Sequence, residues 1–227
     1  MSRLQPLADG LWHVSVPHTF VGLHVGSRMT VVKLSSGGLL LHSPIPVDDA
    51  LATELASLGD VTHIVCPNLF HHVFAGEVKA RYPEALLHGP AKLAKKRKDL
   101  SFDAVLTETP HPDWGNDFEL VFIEGSLLNE TVFFHPASRT LIAADLIENF
   151  NECDHGFTRW YLKIGGLWKK PGWHPLLRLV YLSRRKARVS VTRILEWPIE
   201  NLSLAHGDVI VGNARNQMYV GLRWLLS

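Results

Sequence analysis

Short apolar runs separated by Gly, Pro and Asp dominate the first half of the chain. Such runs are typical of strands that are bounded by turns. The runs that predict strands are Leu11–Val16, Met29–Leu34, Leu39–His42, Val61–Cys66 and Ala85–His88. The polar segment Ser35–Gly38 predicts a hairpin turn between the second and third of these strands.

Three helices are predicted between and after these strands. Val47–Leu58 has apolar residues at helical spacing and acidic residues near its start, where the helix dipole favours them. Phe70–Tyr82 and Ala91–Lys98 predict the other two helices, the first of them ended by a proline. This strand–helix–strand–helix order predicts parallel strand pairing with helices on one face of a sheet.

The second half of the chain predicts a second group of strands followed by helices. The predicted strands are Phe118–Ile123, Thr131–His135, Thr140–Ala144 and Leu202–His206, and the predicted helices are Leu176–Ser183, Val189–Leu195 and Asn213–Leu226. The segment Asn149–Trp173 is rich in Trp, Gly and Lys and has no regular pattern. Because no repeat or linker is visible, residues 1–227 are predicted to form one domain of the α/β class.

Composition narrows the class of protein. The chain is 46% hydrophobic and 20% charged, which suits a globular protein with a sizeable core. A net charge of +1 argues against a dedicated nucleic-acid binder. Two cysteines are too few for a disulfide framework or a cysteine zinc site, and they fit a reducing compartment. Without a visible secretory or membrane-spanning segment, we expect a cytoplasmic location and no stable membrane insertion.

Candidate metal ligands follow three of the predicted strands. His71 and His72 come after Val61–Cys66, Asp145 comes after Thr140–Ala144, and His206 ends Leu202–His206. Ligands bind at the carboxyl ends of strands because the loops there differ without damaging the core. Two or three imidazoles with one carboxylate are a common ligand set for zinc or iron.

The order of these features resembles the metallo-β-lactamase superfamily. Its metal-binding turn usually reads His-x-His-x-Asp-His, followed by Gly-His, a hairpin ending in Gly-Asp, and a last histidine. The corresponding segments here are Pro67-Asn68-Leu69-Phe70-His71-His72, Gly125-Ser126, Ala144-Asp145 and His206-Gly207-Asp208. Together with Arg28-Met29-Thr30-Val31-Val32 and His42-Ser43-Pro44, they are similar to a divergent branch of that superfamily.

The resemblance implies a four-layer αββα sandwich and an altered metal site. Pro67, Leu69 and Ser126 replace the three histidines that would hold the first metal ion. The positions of the second metal ion's ligands are occupied by residues that can all bind metal, namely His71, His72, Asp145 and His206. The resemblance therefore implies one divalent metal ion, with zinc favoured over iron or manganese, that lowers the pKa of a bound water toward roughly 7.

Four further residues are predicted to line or support this site. His42, where the superfamily often has an aspartate, either orients a ligand or is a buried, hydrogen-bonded histidine. Asn68 either contacts a substrate or makes an Asx turn. Ser126 offers a hydroxyl at the position of a missing histidine, and His88 either lines the same rim or lies on the surface.

The Trp- and Lys-rich segment 159–173 has three interpretations that stay open. It is a lid over the metal face, a membrane-surface element, or part of the core through its tryptophans. The basic runs Lys95–Lys98 and Arg184–Lys186 are interpreted as solvated helix faces.

The function implied by the resemblance is a metal-dependent hydrolase of a small ester, lactone, thioester or amide. Two alternatives remain: a catalytically silent binding or scaffold protein, and a non-haem iron oxidoreductase. We expect a small-molecule substrate and no nucleic-acid partner. The sequence makes no prediction about the oligomeric state.

Overall fold

The computed structural model describes residues 3–227 and contains two facing sheets and a small hairpin. The strands in chain order are β1 (Gln5–Ala8), β2 (Leu11–Val16), β3 (Thr19–Phe20), β4 (Leu23–His24), β5 (Ser27–Lys33), β6 (Leu39–His42), β7 (Val61–Val65), β8 (Leu86–Gly89), β9 (Ala104–Val105), β10 (Glu119–Phe122), β11 (Thr131–His135), β12 (Thr140–Ile142) and β13 (Asn201–Ser203). The helices are α1 (Asp49–Leu58), α2 (Ala75–Arg81), α3 (Ala91–Lys96), α4 (Gly156–Ile164), α5 (Arg184–Glu196), α6 (Ala214–Gly221) and α7 (Arg223–Leu226), with 3-10 turns at Pro112–Trp114 and Pro175–Val180.

The larger sheet has the strand order β1-β2-β5-β6-β7-β8-β9, and the smaller has the order β10-β11-β12-β13. Strands β6 to β9 pair in parallel, whereas β5 is antiparallel to both β2 and β6. Strand β2 therefore runs in the same direction as β6 to β9. In the smaller sheet, β12 and β13 are parallel. The carboxyl ends of β7, β12 and β13 lead into the loops that carry the candidate ligands.

Three apolar clusters pack the layers together. One joins α1, α2 and α3 to the outer face of the larger sheet, and it includes Leu51, Leu55 and Ile64. A second lies between the sheets and includes Val65 and Phe133. A third joins α5, α6 and α7 to the smaller sheet. The layers are thus helix, sheet, sheet, helix, which is the predicted αββα arrangement.

The local sequence explains where α1 begins and ends. The Asp48 side chain accepts a hydrogen bond from the backbone N–H of Leu51 at 2.9 Å, which is a typical N-cap. Gly59 ends the helix, and its N–H donates to the Leu55 carbonyl. Strand β7 then alternates between the two apolar layers, since Ile64 faces the helices and Val65 faces the second sheet.

Several predicted elements need correction, and one of them is the helix predicted over Asn213–Leu226, which is two helices, α6 and α7. The helix predicted over Phe70–Tyr82 begins only at Ala75, because residues 68–74 form a turn that Asn68 organises. The segment Asn149–Trp173 is not wholly irregular, since it contains α4. The helix predicted over Leu176–Ser183 is a 3-10 turn, at Pro175–Val180.

Within residues 3–227, no helix has the length and apolar character needed to cross a membrane.

Candidate metal centre

Three side chains from distant parts of the chain meet at the carboxyl ends of the strands. The Asp145 Oδ1 atom lies 3.2 Å from His71 Nε2 and 3.3 Å from His206 Nε2. One ligand atom from each residue lies within 4.8 Å of the others. All three side chains are largely buried, with 8%, 9% and 13% exposure for His71, Asp145 and His206.

Hydrogen bonds at the other side of each ring orient the two histidines. His206 Nδ1 lies 2.8 Å from the Gly26 carbonyl oxygen, and His71 Nδ1 lies 2.9 Å from Ser43 Oγ. A carbonyl oxygen only accepts, so His206 Nδ1 carries a proton and donates it. The Nε2 atom of the neutral ring then presents a lone pair to a carboxylate oxygen.

Two acceptor atoms facing each other at 3.3 Å require a positive charge between them. A proton on His206 provides one such charge, and a divalent cation bound by both atoms provides another. Two imidazole nitrogens and a carboxylate oxygen suit zinc or iron. The residues present therefore fit a metal ion that is held by three protein ligands.

The charges of the site are arranged around Asp145. Burial raises the pKa of the Asp145 carboxyl, but the neighbouring His71 and His206 outweigh burial and hold this pKa well below its usual range. Burial lowers the pKa of His206, and the Asp145 carboxylate more than offsets it, so the pKa of His206 is raised. Both shifts show a site that favours positive charge next to Asp145.

Asn68 and Glu130 hold Asp145 in place through hydrogen bonds to its side chain and its backbone. Asn68 Nδ2 donates to Asp145 Oδ2 at 2.7 Å, while Asn68 Oδ1 accepts from the backbone N–H groups of Phe70 and His71 at 2.8 and 2.9 Å. The predicted Asx turn is therefore present, and the side chain also holds Asp145. Glu130 is fully buried and accepts from the Asp145 backbone N–H at 2.9 Å. Burial and the charge of Asp145 raise the pKa of Glu130 to about 8.

The structure does not place His72 with the other three predicted ligands. Within residues 3–227, it belongs to neither of the two groups of potential ligands that lie within 4.8 Å of one another. Its Nδ1 instead accepts from Arg97 Nη1 at 2.9 Å. His71 and His72 are consecutive residues of a turn, and their side chains have different partners. A cationic guanidinium beside His72 opposes metal binding there.

The predicted pocket residues lie in different places. His42 is buried against the Phe133 ring, and neither ring nitrogen has a hydrogen-bond partner among the described residues. Burial, with His71 nearby, lowers the pKa of His42 to about 3. Ser126 Oγ accepts from the Leu128 backbone N–H at 3.2 Å and is not part of the ligand group. His88 is buried rather than on the surface, and its Nε2 lies 2.9 Å from His63 Nδ1.

Two residues near the site were not predicted from the sequence. His18 follows β2, and burial together with His206 and His71 lowers its pKa. Because β2 is parallel to β6, its carboxyl end lies at the same sheet edge, and the strand-end rule would have found His18. Glu148 is buried near His206 and Asp145, and burial raises its pKa to about 7. Its sequence context gave no signal.

The segment 149–173 packs beside the site against the β3–β4 hairpin. The Thr158 hydroxyl accepts from the His24 backbone N–H at 2.8 Å, and the His24 and His155 rings stack at 3.8 Å. Trp173 is buried, whereas Trp160 is 56% exposed. Between this segment and the hairpin lies a cleft of about 320 Å³. Three residues next to His206 line this cleft. Ala205 and Gly207 are its neighbours in the sequence, and the carbonyl of Gly26 lies 2.8 Å from its Nδ1.

Sequence comparison gives a family without an activity. A family model described as "Domain of unknown function (DUF4336)" matches residues 8–154. The matched region includes His71 and Asp145 and ends before His206. No curated protein sequence matches the chain.

Solved structures of metallo-β-lactamases match nearly the whole chain. A metallo-β-lactamase from Pontibacter korlensis has a TM-score of 0.66 at 14% identity, and the match covers 97% of this chain and 98% of that one. The metallo-β-lactamase FIM-1 from Pseudomonas aeruginosa, in its mono-zinc form, has a TM-score of 0.64 at 12% identity, with 98% and 93% covered. One from Hirschia baltica has a TM-score of 0.64 at 10% identity, with 96% of both chains covered. These matches confirm the predicted metallo-β-lactamase fold, and the low identities agree with a divergent branch.

Proposed function

The chain belongs to the family described as Domain of unknown function (DUF4336), and from this premise we propose that it is a metal-dependent hydrolase with a single-metal site. His71, Asp145 and His206 are the proposed ligands, and zinc is the proposed metal. His72 is left out of the ligand set because, among the described residues, it does not belong to the group of ligand atoms that His71, Asp145 and His206 form within 4.8 Å of one another.

One observation carries the proposal. Two imidazole Nε2 atoms lie 3.2 and 3.3 Å from the same carboxylate oxygen, although the three residues are 61 to 135 positions apart in sequence. The Nδ1 contacts of His71 and His206 leave both Nε2 atoms directed to one point. Such outer hydrogen bonds are what fixes ligand rings in metal sites. The mono-zinc form of FIM-1 supports the idea that this fold holds a single zinc ion.

A zinc ion at this site would polarise a substrate carbonyl and lower the pKa of a water toward roughly 7. The chain's own residues supply orientation and proton handling. Asn68 keeps Asp145 turned toward the two histidines. Glu148 has a pKa of about 7, so it is suited to hold or release a proton near neutral pH.

The cleft that Ala205 and Gly207 line, on either side of His206 in the sequence, is the proposed place for a small substrate. Its volume of about 320 Å³ lies at the lower end of the range for ligand pockets. The proposed substrate is a small ester, lactone, thioester or amide, all of which have a carbonyl that a Lewis acid can polarise.

The test uses the full chain after removal of metal with a chelator. Equilibrium dialysis against zinc should show one bound equivalent fewer in Asp145→Asn than in the unaltered protein. Zinc-loaded protein should hydrolyse at least one of four chromogenic substrates (ester, lactone, thioester, amide), and Asp145→Asn should lower that rate at least 100-fold.

His72→Ala is the matched control, because it removes a neighbouring histidine outside the proposed ligand set. We expect its zinc affinity to stay within threefold of the unaltered protein. Equal zinc binding by Asp145→Asn and the unaltered protein would rule out the metal site. Zinc binding without turnover of any of the four substrates would favour a catalytically silent binding protein.

A second candidate function rests on the ligand types. Two histidines and one carboxylate with open positions are also the ligand set of non-haem iron(II) oxygenases. Elemental analysis of protein purified without added metal distinguishes the two candidates. Iron with oxygen uptake would favour the oxidoreductase, and zinc would favour the hydrolase.

A further inference from the structure

A second histidine cluster lies on the inner face of the larger sheet, away from Asp145. His63 in β7 and His88 in β8 come from neighbouring parallel strands. His63 shares a face of β7 with Val65, which packs between the two sheets. The loop after β9 covers both histidines, because the ring of its Trp114 lies 5.7 Å from the His63 ring and 4.9 Å from the His88 ring.

The same loop places two more potential ligands against His63. His111 and Asp113 lie at the 3-10 turn Pro112–Trp114. Asp113 Oδ2 is 3.6 Å from His111 Nδ1 and 3.9 Å from His63 Nε2. One ligand atom from each of the three residues lies within 4.8 Å of the others. Ligands of a tetrahedral zinc ion are roughly 3.3–3.5 Å apart, so only a small contraction is needed.

Hydrogen bonds in the cluster determine which ring nitrogens of His63 and His111 are unprotonated where they face Asp113. The Asp113 backbone N–H donates to His111 Nδ1 at 3.3 Å, so this nitrogen carries no proton, and a metal ion bound there would replace this long hydrogen bond. His63 Nδ1 lies 2.9 Å from His88 Nε2. When His63 donates in this pair, its Nε2 presents a lone pair toward Asp113. His88 then acts as the outer partner that orients a ligand ring.

We propose that His63, His111 and Asp113 form a second binding site for a divalent transition-metal ion, with His88 as the positioning residue. This site is independent of the site at Asp145 and shares none of its residues. The Asp113 side chain is 58% exposed, so an ion can enter from solvent and keep water ligands. A bound ion would tie the loop that carries His111 and Asp113 to strand β7.

Cobalt(II) is the probe, because its visible absorption reports nitrogen and oxygen ligation. The chelator-stripped full chain should bind two equivalents of cobalt in equilibrium dialysis. The double variant His111→Ala/Asp113→Asn should bind one equivalent, with the affinity of the lost site weakened at least 100-fold. The double variant His71→Ala/His206→Ala should retain the equivalent that His111 and Asp113 hold. His24→Ala removes an exposed histidine and should leave both equivalents unchanged.

Hydrogen exchange gives a second reading that does not depend on the double variant. Cobalt should slow exchange of the backbone amides of residues 107–117 in the unaltered protein, and Asp113→Asn, which keeps the side-chain shape, should abolish this effect. Binding of two cobalt equivalents by His111→Ala/Asp113→Asn would overturn the proposal. The proposal would also fail if the unaltered protein bound a single cobalt equivalent and His71→Ala/His206→Ala bound none. A single equivalent that disappears only in the His111 variant supports this proposal and contradicts the proposed catalytic metal.

Discussion

At the scale of single residues, the candidate site depends on which way each polar atom faces. Strand-end positions in the sequence predicted His71, Asp145 and His206, and the structure brings these three together. The sequence could not separate His71 from His72, because consecutive turn residues differ in direction and only the packing against Arg97 shows which one leaves the site. The sequence left open whether His88 lines the rim of the site or lies on the surface, whereas the structure buries it beside His63, which lies within a strand and gave no signal.

Replacement of Asn68 tests whether Asp145 must be held in its present orientation. Asn68→Ala removes the donor to Asp145 Oδ2 and the acceptor for two backbone N–H groups. We expect zinc affinity to fall about 10- to 100-fold, as for other outer partners of metal ligands. The free energy of unfolding should fall by about 1–3 kcal/mol.

Asn68→Ser is the matched variant, because a serine hydroxyl can still accept in the turn but is too short to reach Asp145. It should lose zinc affinity as Asn68→Ala does and lose less stability in urea titrations. Unchanged zinc affinity in both variants would show that Asn68 supports only the turn.

At the scale of elements, the direction of each strand decides what reaches the site. The periodic patterns predicted β2, β6 and β11 with their observed bounds. The same patterns missed α4, because three of its apolar residues, Phe157, Trp160 and Ile164, are exposed, while Leu162 is buried in a small apolar cluster. They also started α2 too early, because a helical pattern in sequence does not reveal that Asn68 holds the following residues in a turn.

Loss of the contact between α4 and the β3–β4 hairpin should open the cleft. Thr158 is buried, and Thr158→Val removes the acceptor for the His24 backbone N–H and also the hydroxyl that lies 2.9 Å from His155 Nδ1. We expect hydrogen exchange to quicken about 5- to 30-fold in residues 18–26 and 155–165, which corresponds to roughly 1–2 kcal/mol of local stability.

Thr53→Val is the control for this measurement. It removes a threonine hydrogen bond, to the Asp49 carbonyl, in α1, which packs on the outer face of the larger sheet. Exchange in the hairpin should be unaffected by Thr53→Val. Equal exchange rates in Thr158→Val and the unaltered protein would mean that the hairpin does not depend on α4.

At the scale of the whole molecule, three apolar clusters hold four layers together and bury several titratable groups. The αββα architecture could be predicted, since two groups of strands with helices allow few arrangements. The cluster of His63 and His88 on the inner face of the larger sheet could not be predicted, because the loop that covers these histidines has no regular pattern in sequence. Their burial affects stability.

Acid should destabilise the metal-free protein. Burial lowers the pKa values of His42 and His88 to about 3 and of His13 and His63 to about 4. These histidines are neutral when folded and bind protons when unfolded below pH of about 6.5, so their contribution to stability is lost as the pH falls. Glu130 and Glu148, with raised pKa values of about 8 and 7, act in the opposite direction between pH of about 4.5 and 7.

Near pH 5.5 these six groups together should make the unfolded chain bind roughly two more protons than the folded chain, and burial lowers the pKa values of four more histidines, which act in the same direction: His18, His72, His135 and His174. The free energy of unfolding should therefore fall by about 3 kcal/mol per pH unit or more, measured by urea unfolding at pH 6.0, 5.5 and 5.0. His42→Leu should reduce this slope by about 1.4 kcal/mol per pH unit. A free energy of unfolding that stays constant or rises toward pH 5 would contradict this expectation.

The most direct test of the proposed metal centre is anomalous X-ray diffraction at the zinc edge from crystals of the zinc-loaded protein. We predict an anomalous peak about 2.0–2.2 Å from His71 Nε2, His206 Nε2 and a carboxylate oxygen of Asp145, with no bond to His72. The absence of a peak among these three atoms in crystals grown with excess zinc would contradict the proposal that they form a metal centre.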